Sequence, residues 1–267
     1  MDNRPIGVFD SGLGGLTVLK ESIKILDNED YIYLGDTLRM PYGNKSEEEI
    51  IKFSFEISEF LKRKDVKAIL IACNTVSSVA YEKLKENIDI PIIISVLNEG
   101  VEMTLKEEPN KNVVFIGTER TVLSNSFERK IKDIDKGRNI KSIACPEFAE
   151  IVEKGEINTK ETEKIVKKYL EGVKNWSDIL VYGCTHYPLL EEKIKRVLGD
   201  KIYIDPAIGL RKKLEILLKE KDLMSNRKEG SIEFYVTKDP DSFKNFAEKI
   251  RIGRAHVWTP VTIKYLV

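Results

Sequence analysis

Short apolar runs, each closed by glycine or a small polar residue, alternate along this chain with stretches whose apolar positions recur at helical spacing. Runs of β-branched and aliphatic residues suit strands buried on both faces, and the helical period suits elements that cover a sheet. The pattern predicts strands at Ile6–Phe9, Tyr31–Leu34, Ala68–Ala72, Ile92–Val96, Val113–Ile116, Ile140–Ala144, Ile179–Tyr182, Ile202–Ile204 and Ile232–Val236. Helices fall between them. The clearest starts at Ser46, where Glu49 completes a capping box and Ile50, Phe53, Ile57, Phe60 and Leu61 form one stripe. Another covers residues 160–173. Such alternation is the signature of an α/β protein with mainly parallel sheets.

Two of the apolar runs deliver a cysteine to the end of a strand: Ile69-Leu70-Ile71-Ala72-Cys73-Asn74-Thr75 and Ile179-Leu180-Val181-Tyr182-Gly183-Cys184-Thr185-His186. The cysteines are 111 positions apart. Val8-Phe9-Asp10-Ser11 and Phe115-Ile116-Gly117-Thr118 recur 107 positions apart. Two halves, each with a carboxylate or hydroxyl turn followed by a cysteine turn, predict two similar pseudo-symmetric α/β domains. Ligands of open α/β sheets sit beyond the carboxyl ends of the strands, so the site is expected in the cleft between the halves. No low-complexity linker separates them, and the division is placed by strand order. Residues 1–97 with 207–251 form the domain carrying Cys73, and residues 98–206 the domain carrying Cys184.

At 267 residues the chain is long enough for two cores of about 100 residues each. Its 44 basic and 44 acidic residues cancel, so no net field points to nucleic acid or an anionic membrane as partner. No apolar stretch approaches the roughly 20 residues of a spanning helix, and Met1-Asp2-Asn3-Arg4-Pro5 leads into a strand rather than a signal sequence. A cytoplasmic location is expected. Three cysteines without short paired spacing argue against a disulfide framework and a zinc cluster, leaving reduced thiols available for chemistry.

The histidines are His186 and His256. The second lies in Ile252-Gly253-Arg254-Ala255-His256-Val257-Trp258-Thr259-Pro260-Val261-Thr262, which abandons the lysine-rich helical pattern before it. That string resembles a sequencing-adapter read translated in frame, so residues 252–267 are read as a non-native tail and set aside from fold reasoning. His186 is then the single native histidine, two residues after Cys184.

Asp10-Ser11-Gly12-Leu13-Gly14-Gly15-Leu16-Thr17 lies between a strand and a helix, where backbone amides can hold an anion or where glycines serve tight packing. It matches neither a dinucleotide fingerprint nor a P-loop. Gly35-Asp36-Thr37 through Pro41-Tyr42-Gly43 is a second polar turn after a strand, equally open to either reading. Cys145, followed by Pro146, reads as a core residue. Cys184 differs: only a few per cent of an ordinary thiol is thiolate at neutral pH, and Thr185, His186 and turn amides are what would raise that fraction.

Together, Ile6 to Val18, Leu34-Gly35-Asp36-Thr37 with Pro41-Tyr42-Gly43, Ala72-Cys73-Asn74-Thr75 and Gly183-Cys184-Thr185-His186-Tyr187-Pro188 give the chain a resemblance, throughout its length, to the glutamate racemase family of cofactor-independent amino-acid racemases. The resemblance implies a 1,1-proton transfer without pyridoxal phosphate or metal. One thiolate removes the α-proton of glutamate while the opposing thiol protonates the other face. By position, Cys73 and Cys184 are the proton donors and acceptors, with Asp10 assisting Cys73, and His186 and Glu153 assisting at Cys184. Glu147 and Glu150 are left as solvated. Asp10, Ser11, Tyr42, Gly43, Asn74, Thr75, Thr118, Thr185 and His186 resemble the substrate-holding positions. A homodimer supplying D-glutamate to the cell wall is implied as well. The segment Ile94-Ser95-Val96-Leu97-Asn98-Glu99-Gly100 departs from the family, which usually has a glutamate-proline turn there.

Other readings predict different behaviour. A sister racemase for aspartate or hydantoins, or a maleate isomerase, would place two cysteines in a similar cleft. A cysteine hydrolase would pair Cys184 with a base, yet two residues on one turn are expected to direct Cys184 and His186 apart. A non-catalytic amino-acid binder would hold glutamate without exchanging its proton.

Overall fold

A computed structural model describes residues 1–250 and the backbone of Ala255–Pro260. Nine strands form where the apolar runs predict them, to within a residue at either end: β1 (Ile6–Asp10), β2 (Tyr31–Gly35), β3 (Ala68–Ile71), β4 (Ile92–Ser95), β5 (Val113–Gly117), β6 (Ile140–Ala144), β7 (Ile179–Gly183), β8 (Ile202–Ile204) and β9 (Ile232–Val236). A tenth, β10 (Ala255–Pro260), pairs in parallel with β9 at a sheet edge. It falls within the stretch read as a non-native tail, the rest of which lies outside the described residues.

The helices of the first part are α1 (Leu16–Ile23), α2 (Glu47–Arg63), α3 (Asn74–Val79), α4 (Tyr81–Asn87) and α5 (Val96–Leu105). Then come α6 (Glu119–Leu123), α7 (Ser126–Lys132), α8 (Pro146–Lys154), α9 (Lys160–Leu170) and α10 (Glu191–Leu198), followed by α11 (Pro206–Glu220) and α12 (Pro240–Lys249). The capping box at the start of α2 forms as expected, with Ser46 and Glu49 exchanging side-chain to backbone bonds of 2.9 and 3.2 Å.

All strand pairs are parallel, in two sheets ordered β10-β9-β2-β1-β3-β4 and β6-β5-β7-β8. The segment β2-β1-β3-β4 of the first has the same order as β6-β5-β7-β8, so one topology occurs twice. In each, the order reverses beside the first strand, at β1/β3 and at β5/β7, which is where an open sheet leaves a crevice at its carboxyl edge.

Alternation along the strands divides the cores. Val8, Leu70 and Ile94 of the first sheet share one core with Val114, Ile116, Leu180 and Tyr182 of the second, bridged by Leu210 and Leu214 of α11. Phe9, Ile32, Leu34, Ile69 and Ile71 point the other way, onto Ile50, Ile57 and Leu61 of α2 and Leu84 of α4. Val113, Phe115, Ile179 and Val181 meet Phe127 and Ile131 of α7 with Leu97 and Val101 of α5. The shared core makes the halves lobes of one packed body.

The chain crosses between sheets twice, through α5 from β4 to β5 and through α11 from β8 to β9. Where the family has its glutamate-proline turn, this chain starts α5 directly at Val96 and continues it through Asn98, Glu99 and Gly100. No proline is present to restrict the preceding residue.

A buried ion pair ties the base of the first sheet. Lys67 and Glu29 are both without side-chain exposure, with Lys67 Nζ 2.6 Å from Glu29 Oε2, an ion contact poorly angled for a hydrogen bond. Lys67 also donates to the carbonyls of Asp2 and Leu223 at 2.6 and 2.7 Å, and Glu29 accepts from the Ser225 amide at 2.8 Å. Removing one member strands the other charge in a dry site. Lys67→Met is expected to lower stability by about 3–5 kcal/mol in urea unfolding, and adding Glu29→Leu to recover much of that loss. Equal stability of parent and single variant would show the pair to be idle.

Candidate active site

The two reversal points bring their turns to one cleft. Its lining includes Asp10, Ser11, Tyr42, Gly43, Cys73, Asn74 and Thr75 from the first lobe, and Thr118, Glu153, Cys184, Thr185 and His186 from the second. Every residue picked out from the sequence is therefore brought together. Both cysteines of the cleft are nearly buried, at 5% exposure for Cys73 and 8% for Cys184.

Glycines allow the lobes to meet. A Cβ on Gly14 would lie 2.3 Å from Thr185 Oγ1 and 2.6 Å from His186 Nδ1, and one on Gly15 would lie 2.5 Å from the Asp10 Cβ. The glycine-rich turn thus serves close packing, the second of its two readings. Thr17 Oγ1 adds a bond across the lobes to the Thr185 carbonyl at 3.0 Å.

Around Cys73 the groups are acidic and hydroxylic. Its sulfur donates to Ser11 Oγ at 3.4 Å. Burial, with Asp10 adding to it, pushes the Cys73 thiol up to about 12, against the pull of Ser11 and the Val76 amide. Asp10 accepts from the Gly12 amide at 3.0 Å, and burial raises its carboxyl too, opposed chiefly by His186.

Around Cys184 the groups are basic. His186 Nδ1 lies 3.6 Å from Cys184 Sγ, which corrects the expectation that a two-residue spacing would turn these side chains apart. A turn at the end of β7 lets residues 184 and 186 face the same way. On the other side of the ring, Glu153 Oε1 stands 3.2 Å from Nε2, an ion contact off the N–H axis. Burial drives the imidazole down, but the close contacts with Cys184 and Glu153 and their charges override it and raise His186 to about 10. Glu147 and Glu150 instead pair with Lys168 and Lys154 at the surface. Cys145 is buried, with its thiol pushed upward by burial, and Tyr187 Oη donates to its carbonyl at 2.7 Å, a structural role.

A family model described as Asp/Glu/Hydantoin racemase matches residues 8–210. The chain belongs to that family. It is 45% identical over 252 residues to a glutamate racemase of Thermoanaerobacter pseudethanolicus, covering 94% of each chain. It is 38% identical over 260 residues to a glutamate racemase of Streptococcus pneumoniae, covering 96% of this chain and 98% of that one. Among solved structures, a glutamate racemase of Francisella tularensis in complex with D-glutamate superposes with a TM-score of 0.91 at 37% identity, covering 98% of this chain and 99% of that one.

Set on this racemase fold, three features were missed in the sequence. Asp36, fully buried, accepts from the Tyr42 hydroxyl, from Arg39 Nε and from Thr237 Oγ1 at 2.9 Å, fixing the Pro41-Tyr42-Gly43 turn from behind. The Tyr42 hydroxyl is thereby committed, and the main chain at 42–43 is what this turn offers the cleft. Arg39 stacks 4.0 Å over the Phe53 ring and pairs with Glu56. Thr121 joins Thr75 and Thr118 in a hydroxyl cluster spanning both lobes, with contacts of 2.8 to 3.2 Å. The Asp-Thr and Pro-Tyr-Gly motifs hint at the first feature; no sequence signal marks Thr121.

Because His186 is raised above its ordinary 6.5, its protonated form favours the folded protein. That contribution is complete below about pH 6.5 and lost as pH rises through about 10. The thermal midpoint is expected to fall across this window, and to fall less in His186→Gln. Parallel pH profiles for the two would contradict the pairing.

Proposed function

We infer that this chain interconverts L- and D-glutamate by proton transfer between two thiols. The observation that carries this reading is the meeting of Cys73 and Cys184 in one cleft from equivalent reversal points of two like-ordered sheets. Near-full-length likeness to glutamate racemases, one solved with D-glutamate, selects glutamate over sister substrates.

In the proposed step, the Cα–H bond breaks toward one sulfur as thiolate, forming S–H, and the electron pair stays on Cα, delocalised into its carboxylate. The opposing S–H then breaks and a new C–H bond forms on the other face. Inversion follows because the sulfurs stand on opposite sides of Cα. A single base would return the proton to the face it left.

The surroundings divide the work. In the resting protein Cys73 holds its proton firmly, as a donor must. His186, braced by Glu153, takes up charge beside Cys184 as that sulfur changes protonation state. Asp10 stands beside Cys73 in the corresponding place. Neutral donors at Ser11, Asn74, Thr75, Thr118 and Thr185, with the 42–43 backbone, hold the substrate carboxylates and leave its ammonium to acidify Cα. Asn74 Oδ1, buried and unpartnered, is free to accept from that ammonium. Supply of D-glutamate to the cell wall, a homodimeric assembly and a cytoplasmic location go with this reading. No helix among the described residues is long and apolar enough to cross a membrane.

Incubation with L-glutamate in deuterated water is expected to give loss of optical rotation with deuterium entering at Cα. Cys73→Ser and Cys184→Ser should each lose racemisation by about a thousandfold or more. A folded parent that binds glutamate without exchange would instead be a binder, and inversion surviving either substitution would reject the two-thiol route.

A further inference from the structure

Thr121 is not part of the cleft wall, yet its hydroxyl sits behind two that are. Thr75 of α3 and Thr118, which caps α6, both line the cleft. Thr121 of α6 is 1% exposed, and its Oγ1 lies 3.2 Å from Thr75 Oγ1 and 2.8 Å from Thr118 Oγ1. The third side of this triangle, from Thr75 Oγ1 to Thr118 Oγ1, measures 3.0 Å. Two of its three sides join the lobes.

A hydroxyl has one proton to give and two lone pairs with which to receive. Three hydroxyls closed into a ring put one proton on each side, which suits a cleft without substrate. Among the described residues Thr121 Oγ1 has no partner outside the ring, so its proton ends on Thr118 or on Thr75. Thr118 Oγ1 also accepts from the Thr121 amide at 3.4 Å, as a helix cap does, and that fills one of its lone pairs. With the Thr121 hydroxyl on the other, Thr118 has nothing left with which to accept from Thr75. The protons of Thr75 and Thr118 are then both free to turn outward.

We propose that Thr121 is a positioning residue, whose buried hydroxyl commits Thr75 and Thr118 to act together as donors to a carboxylate in the cleft. The proposal rests on the reading above that these two threonines receive a substrate carboxylate. Entry of that group exchanges two ring bonds for two bonds to a charged acceptor, while the Thr121 proton stays in the ring, and no heavy atom has to move. Accepting a bond from behind also strengthens a hydroxyl as a donor in front. Without Thr121, one lone pair of Thr118 is open again and takes the proton of Thr75. The pair then offers the ligand one donor in place of two.

Thr121→Val keeps the shape of the side chain and removes the hydroxyl, and Thr121→Ser keeps the hydroxyl and removes the methyl group. Calorimetric titration of the full chain with D-glutamate reads binding without turnover, and initial rates read KM and kcat separately. Thr121→Val is expected to weaken glutamate binding and raise KM by about tenfold, the loss of one hydrogen bond to a charged group, with kcat held within about twofold. Thr121→Ser should bind glutamate nearly as the parent does, even if its thermal midpoint falls with the lost methyl group. A role in packing alone predicts the reverse order, with the serine variant the more damaged. A parent that binds no glutamate fails the reading on which the proposal rests and takes the proposal with it. A parent that binds glutamate, with Thr121→Val binding equally well or Thr121→Ser binding as weakly as Thr121→Val, overturns the proposal alone.

Discussion

A parallel sheet with helical crossovers sends every strand the same way, and this constraint underlies the rest of the structure. All the connecting turns that follow strands then collect on one edge. In each lobe the strand order reverses beside the first strand, so the turns after β1 and β3, and after β5 and β7, part to leave a crevice. Asp10-Ser11 and Cys73-Asn74-Thr75 line the first; Thr118 and Cys184-Thr185-His186 line the second. Repeating one topology in one chain, and burying inner faces of both sheets around α11, sets the two crevices against each other. A reaction that needs two equivalent groups on opposite faces of one carbon is matched by a fold that makes the same corner twice.

The symmetry stops at the sulfur atoms. Cys73 has a carboxyl group and a serine beside it, whereas Cys184 has an imidazole braced by a second carboxylate. Burial penalises charge at the Cys73 sulfur, and Asp10 beside it adds to that penalty. The charge of His186, across the cleft, opposes the rise that burial imposes on the Asp10 carboxyl. A charge on the Cys184 side is thus felt at the carboxyl beside Cys73.

Much of this was legible in the chain. The strands were marked by apolar runs that only a doubly covered sheet can bury, and the repeat by two cysteines at equivalent strand ends. The resemblance to the family picked out Glu153 over Glu147 and Glu150, and it is the one that reaches His186. What stayed hidden depends on contacts between distant segments. Gly14 gives no sign that its missing Cβ makes room for Thr185 and His186, 171 and 172 positions away. Thr121 is an ordinary helix residue until Thr75 arrives from the other lobe. Asp36 reads as a turn former, and its work as the acceptor for Tyr42, Arg39 and Thr237 appears only once β9 lies beside β2. The reach of His186 to Cys184 was misjudged because sequence spacing says nothing of the turn that ends β7.

The most direct test of the opposed-thiol account is a crystal structure of the chain with D-glutamate in the cleft. The account requires Cα to lie between the two sulfurs, each within about 4 Å and on opposite faces of the carbon, a near-attack arrangement for either proton. A substrate whose Cα touches only one sulfur, or finds both on the same face, would contradict it.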